Sequence, residues 1–483
     1  MKDFLRRFIK TLLIAAFACA VFGAAAFAAE GDETVEIYFA DEGGGQADLL
    51  GTAFFRAGSL WVPAEALRVM GVPLYDGPNN KGFYINAADP ARAFDIPVLA
   101  QLAGGGVSLY FPSLSVAGVS YFNMSGMQNL TKLDFRREGT RVVFTPNNSL
   151  KGYVQSGVAK PAPVSGKLTM VWDHVTLDNP NLGAQNAIPG LAVISPTWFN
   201  LMDAGGGLAN RASAAYVESA HRKGYQVWGL VSNSFNASMT TGFFKNARAM
   251  NLFMARLLIY AKLYGLDGIN VDFEGMNEAD RAPFVRFIAR LSELLRPEGL
   301  LLSVDVFIPA NTKSSRSHDR GALAKYADYI MLMAYDEHWR TSPRAGSVAS
   351  MPWVTKAVEG ALAEGVPPAK LVLGVPFYMR RWEETKTSGG VKVKGYTLTM
   401  AEAEELSAKR GAPMQWLETL GQHYFTYTAN GKVQKVWVEN AASIERKLLL
   451  VDRYGLAGMA GWRRGHEKPE IWEMVAALMG RDR

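Results

Sequence analysis

From residue 168 onward the chain alternates between two periods of hydrophobicity. Short aliphatic and β-branched runs at 168–172, 191–195, 226–231, 268–273, 301–307, 329–334, 371–376 and 458–462 read as strands. Amphipathic stretches separate them. Phe284, Phe287, Ile288, Leu291, Leu294 and Leu295 follow the helical spacing, and Pro297 and Gly299 then stop that helix. Another predicted helix ends near Tyr264, with Gly265 at its C-cap. Eight strands alternating with helices over about 300 residues is the arithmetic of an α/β fold of the (β/α)8 TIM barrel kind. A doubly wound sheet is the rival architecture, but no Gly-rich phosphate loop follows the first strand.

Within the fourth predicted strand the polarity alternates residue by residue. Ile269, Val271 and Phe273 are apolar, whereas Asn270, Asp272 and Glu274 are polar. A strand directs alternate side chains to opposite faces, so the two carboxylates and the carboxamide share one face. Helical patterns on both sides argue for a parallel strand covered on both faces. Acids directed into a covered interior are costly unless they serve a purpose. The C-terminal ends of barrel strands supply active sites, which makes Glu274 and Asp272, one pleat repeat below it, a candidate acid pair.

The remainder of the chain has a different texture. Residues 30–148 are β-rich, with strand-like runs at 35–39, 52–55, 60–62, 82–85 and 141–145 separated by Gly, Pro and Asn turns. A unit of Gly, an aromatic-apolar strand and a short helix occurs twice, at 56–71 and again at 116–130. Residues 149–167, with Pro161, Pro163 and little periodicity, form a linker to the barrel at 168–483. Between the seventh and eighth strands, at about 383–438, runs at 395–399, 424–427 and 433–438 surround a helix at 400–410. Asn430-Gly431 is a strong hairpin signal within this small α+β insertion.

Charge and cysteine usage concern location. Lys2, Arg6, Arg7 and Lys10 precede an apolar stretch ending in Ala26-Phe27-Ala28, so residues 1–28 read as a secretory signal, with an uncleaved anchor as the other option. Removing four positive charges and Asp3 lowers the formal net charge from +6 to +3. The only cysteine, Cys19, lies in this segment, so the mature chain folds without disulfides or thiolate metal sites. No basic stripe points to nucleic acid. The expectation is a secreted or cell-envelope monomer that is free of the membrane once the signal is cleaved.

The fourth-strand run resembles the signature of glycoside hydrolase family 18, the chitinase-like family, whose motif is Asp-Gly-x-Asp-x-Asp-x-Glu. Asp267, Gly268, Asp272 and Glu274 match it, while Asn270 replaces the middle aspartate. Met333-Ala334-Tyr335-Asp336 and Gly374-Val375-Pro376-Phe377-Tyr378 are similar to the family's sixth- and seventh-strand motifs, and Trp462 stands where the family places an eighth-strand tryptophan. Asn at position 270 looks like the branch containing the spore-cortex-lytic N-acetylglucosaminidases. The N-terminal repeat loosely resembles the stalk-like module named after the N-terminal domain of copper amine oxidases. That implies a cell-wall or spacer role and not copper chemistry, because the segment has no histidine.

The resemblance implies substrate-assisted, retaining cleavage of β-1,4-linked N-acetylglucosamine polymers, with the substrate's 2-acetamido oxygen as nucleophile and no cofactor. Glu274 would be general acid and then base. Asp272 would orient the acetamido N–H, Tyr335 would donate to its carbonyl, and Trp462 would floor the sugar. Asn270, Met333, Asp336 and Tyr378 are the remaining expected substrate-binding positions. Asn270 is further expected to donate to Asp272 and hold it ionised. Asp267 reads as structural. His174, Glu337, His338 and His466 lie near strand ends, but their spacing matches no zinc motif, so no metal is expected. Arg380, Arg381, Arg463 and Arg464 are read as a solvated rim or as contacts to carboxylated glycans. Peptidoglycan, reached with the help of the N-terminal module, is the expected polysaccharide; chitin, or a non-catalytic glycan-binding or envelope-scaffold role, is the alternative.

Overall fold

The computed structural model describes residues 32–40, 47–56, 58–77, 81–147, 159–176 and 178–480. The signal segment 1–28 and the first part of the linker lie outside them.

Eight parallel strands close on themselves: β1 (Leu168–Asp173), β2 (Val193–Leu201), β3 (Gln226–Ser232), β4 (Gly268–Asp272), β5 (Leu301–Phe307), β6 (Tyr329–Met333), β7 (Leu371–Pro376) and β8 (Gly458–Trp462). Each pairs with its sequence neighbours, and β1 pairs with both β2 and β8, which makes the TIM barrel predicted from the hydrophobic pattern. Strand β2 differs most from its predicted bounds. Its register with β3 shifts between Thr197 and Phe199, and it continues upward into a short antiparallel pairing with Leu208–Asn210.

Two hydrophobic layers hold the barrel. Met170, Trp172, Trp228, Leu230, Met331, Val372 and Ala460 form a buried cluster contributed by several strands. A second, larger cluster joins the strands to the surrounding helices. The helix Arg281–Leu295 buries the six apolar residues that its periodicity marked, Phe284 to Leu295. The helix Ala247–Tyr264 is capped by the Asn246 side chain, which accepts from Ala249 N at 3.1 Å, and it ends at left-handed Gly265 (φ 69°). Ring closure requires Gly458, because a Cβ there would stand 2.0 Å from the Leu168 carbonyl oxygen.

The N-terminal residues form a nine-stranded sheet between Glu33 and Pro146. The strands of the two repeated units, Ser59–Pro63 and Val119–Asn123, pair antiparallel within it. This sheet packs on the helix Ala247–Tyr264: Tyr260 Oη donates to Tyr110 O and accepts from Tyr110 N, both at 2.8 Å. Of the linker, Lys160 Nζ donates to Leu266 O at 2.5 Å, and Ala162 O accepts from Gln226 Nε2 at 3.2 Å.

The insertion after β7 is a five-stranded sheet with the helix Met400–Arg410. It starts at Tyr378, ahead of the expected position near 383, because the strand Tyr378–Thr387 follows β7 almost without a break and pairs with Gly390–Thr399. Asn430 and Gly431 both adopt positive φ (49° and 70°), as a tight hairpin turn demands. Among the described residues, no helix is long and apolar enough to cross a membrane.

Candidate active site

A cavity of about 880 Å³ opens at the C-terminal ends of the barrel strands, and Trp172, Asp272, Glu274, Asp305, Tyr335 and Trp462 are among its lining residues. The pleat of β4 sends Asn270 and Asp272 inward, and Glu274 follows two residues beyond. Asp272 is 7 % exposed, and its Oδ1 has no hydrogen-bond partner. Burial, then the charge of Asp305, holds the Asp272 carboxyl well above the usual range, against a hydrogen bond from Glu274. Burial also raises Glu274, reinforced by the Asp272 charge, by their shared hydrogen bond and by Asp336. Two interacting acids so placed favour a protonated Glu274 beside Asp272.

Tyr335 follows β6 and reaches the same cavity. Burial, and then the charges of Asp305, Tyr378, Asp272 and Glu274, keep its hydroxyl far from ionisation, so it remains a donor. Next to it, Asp336 takes a left-handed backbone (φ 57°), and its Oδ1 accepts from Tyr378 Oη at 2.6 Å and Arg380 Nη2 at 3.2 Å. Tyr378 therefore belongs to the insertion's first strand and ties it to the barrel mouth. Met333 also lines the cavity. Trp462 lines it too, its ring centroid 6.1 Å from both Trp172 and His174.

Asn270 requires a correction. It is fully buried and is not among the residues that line the cavity. Its Oδ1 accepts from Trp172 Nε1 (2.9 Å) and Ser195 Oγ (3.2 Å), and its Nδ2 donates to Ser303 Oγ (3.0 Å) and Asp305 Oδ1 (2.7 Å). The expected bond to Asp272 is thus replaced by one to Asp305, since neighbouring-strand residues lie closer to an inward side chain than the next inward residue of its own strand. Asp305 went unnoticed in the sequence, although Ser303 and Asp305 in β5 alternate with Leu302, Val304 and Val306 just as the β4 acids do.

The other polar candidates divide. Asp267 accepts from Val227 N and lies 2.8 Å from His221 Nε2, a structural pairing at the start of β4. Glu337 accepts from Ser350 N and His338 Nδ1 lies 2.8 Å from Ser347 O, both local contacts. His174 and His466 line the cavity, and burial lowers both, His466 to about 4, with the nearby Arg463 charge acting in the same direction. Arg464 pairs with Asp173 at 3.0 Å, and Arg381 sits over the Tyr396 ring. Arg380 and Arg463 line the cavity, together with Arg211 from the loop after β2.

The sequence model of the glycosyl hydrolases family 18 matches residues 230–467, from the end of β3 to just past β8. An uncharacterized glycosylase, YvbX of Bacillus subtilis, is 28% identical over 56% of this chain and 80% of its own length. The cortical fragment-lytic enzyme of Bacillus anthracis is 26% identical over 50% of this chain, which spans only 57% of that relative. Among solved structures, the Bacillus cereus spore cortex-lytic enzyme SleL shares the fold with a TM-score of 0.59, at 20% identity over 79% of this chain and 92% of that one.

Proposed function

Because the barrel is a family 18 glycoside hydrolase domain, we propose that this protein is an exported glycosidase cleaving β-1,4-linked N-acetylglucosamine-containing peptidoglycan. The observation that carries the reading is the coupled pair Asp272–Glu274 in the cavity at the barrel mouth, with Tyr335 on one wall and Trp462 on another. Glu274, held protonated, gives its proton to the leaving glycosidic oxygen. The substrate's acetamido oxygen attacks the anomeric carbon from the other side, and Asp272 orients the acetamido N–H and stabilises the cationic ring formed. Tyr335 donates to the acetamido carbonyl oxygen, fixing the reactive geometry. Glu274 then accepts a proton from the water that opens the ring, and the configuration at the anomeric carbon is retained.

Peptidoglycan is favoured over chitin by charge. Arg211 and Arg463 line the cavity and form no ion pair among the described residues, whereas Arg380 is paired with Asp336. Two guanidinium groups outside any ion pair suit a glycan bearing carboxylates. The N-terminal sheet is assigned the role of a wall-binding spacer, and residues 1–28 that of the export signal. Reducing ends released from purified peptidoglycan test the reading: the wild type releases them, and Glu274→Gln does not. Equal release by both overturns it.

A further inference from the structure

Strands β4 and β5 pair with Asn270 opposite Ser303 and Val271 opposite Val304. The next step along both strands brings Asp272 beside Asp305, on the same inward face. Asp305 is 2 % exposed and lines the cavity. Its Oδ1 receives the Asn270 Nδ2 proton at 2.7 Å. That amide cannot turn over, because its oxygen already holds two donors and its nitrogen faces two acceptors. The groups facing Asp305 are Asp272 and Glu274 from the β4 side, Tyr335 from β6 and Trp172 from β1. Among the described residues, no arginine, lysine or histidine forms an ion pair with Asp272, Glu274 or Asp305.

Three desolvated carboxyls without a cation cannot all be ionised at once. Two of them have fixed demands if the proposed function holds: Glu274 must carry a proton to give away, and Asp272 must accept the acetamido N–H. We propose that Asp305 is a positioning residue whose carboxyl keeps its proton at working pH, leaving the cluster's negative charge on Asp272. The proton sits on Oδ2, since Oδ1 is the acceptor for Asn270. Burial raises Asp305 first, and a Glu274 carboxylate adds to it once that residue has lost its proton, with the Asn270 and Trp172 bonds opposing. Asn270 thus acts on the acid pair through Asp305, from below.

The inference rests on the glycosidase reading, yet its test does not depend on turnover. Carboxyl-carbon NMR titration of the full chain, with the Asp305 signal identified by its loss in Asp305→Asn and its displacement in Asn270→Ala, reads the protonation directly. The signal is expected to titrate well above the ordinary aspartate value of about 4; titration at or below that value overturns the proposal. In the peptidoglycan assay, Asp305→Asn keeps kcat within about threefold, because a neutral group of the same shape remains. Asp305→Ala lowers kcat at least about tenfold with little change in KM. Equal losses in the two variants, or none in either, contradict the positioning role. Failure of the glycosidase reading would show separately, as equal turnover by wild type and Glu274→Gln.

Discussion

Asn270 and Asp305 are joined across two adjacent barrel strands by a 2.7 Å hydrogen bond from amide to carboxyl, with Asn270 buried and Asp305 lining the cavity. Asp272 stands beside Asp305 on the neighbouring strand, and Glu274 follows it. The carboxamide itself is fully buried. Under the proposal, its effect reaches the chemistry by fixing a third carboxyl against the Asp272–Glu274 pair.

Glu274→Gln is expected to change stability as well as activity. The native carboxyl lies well above its ordinary value of 4.5. The native state therefore binds this proton more tightly than the unfolded chain, and wild-type stability falls as pH rises from about 4.5 through the raised native value. The glutamine variant escapes this loss. At neutral pH it should be more stable, by about 1.4 kcal/mol for each pH unit of upward shift, and it should match the wild type below about pH 4. Denaturant unfolding at two pH values measures the difference.

Tyr335→Phe removes a buried hydroxyl donor and leaves the ring. If that donor meets the acetamido carbonyl mainly in the reacting geometry, kcat falls on the order of a hundredfold while KM changes little. Steady-state kinetics on a soluble muropeptide separates the two parameters.

Arg463→Ala should discriminate substrates by charge. KM for a carboxylate-bearing glycan is expected to rise about tenfold, with the effect shrinking at high salt. Hydrolysis of a neutral chitooligosaccharide should be nearly unaffected. Parallel assays at two ionic strengths decide it.

Gly458→Ala tests barrel closure. The added methyl would meet backbone at 2.0 Å, where no flexible side chain can yield. Destabilisation of about 3 kcal/mol or more is expected, read as a lower denaturation midpoint.

Much of this architecture was legible because its signals are local. The spacing of Phe284, Phe287 and Ile288 marks one buried helical face, and Asn430-Gly431 marks a turn that only positive φ satisfies. The inward direction of Asp272 followed from strand alternation alone. What escaped depends on register between strands. No local pattern says that Asp305 stands beside Asp272, or that Asn270 reaches across to β5 instead of along β4. The extended β2 and the early start of the insertion also depend on which partner strand lies alongside, as the pairings of 199–201 with 208–210 and of 378 with 399 show.

The central claim is that Glu274 protonates the leaving group while the substrate's own acetamide attacks. The most direct measurement compares cleavage of matched N-acetylated and de-N-acetylated peptidoglycan strands by wild type and Glu274→Gln, with NMR following the anomer first released. The expected result is that only the wild type cleaves, only the N-acetylated strand is cut, and the new reducing end appears first as the β-anomer. Cleavage of the de-N-acetylated strand at a similar rate, or undiminished activity of Glu274→Gln, would contradict it.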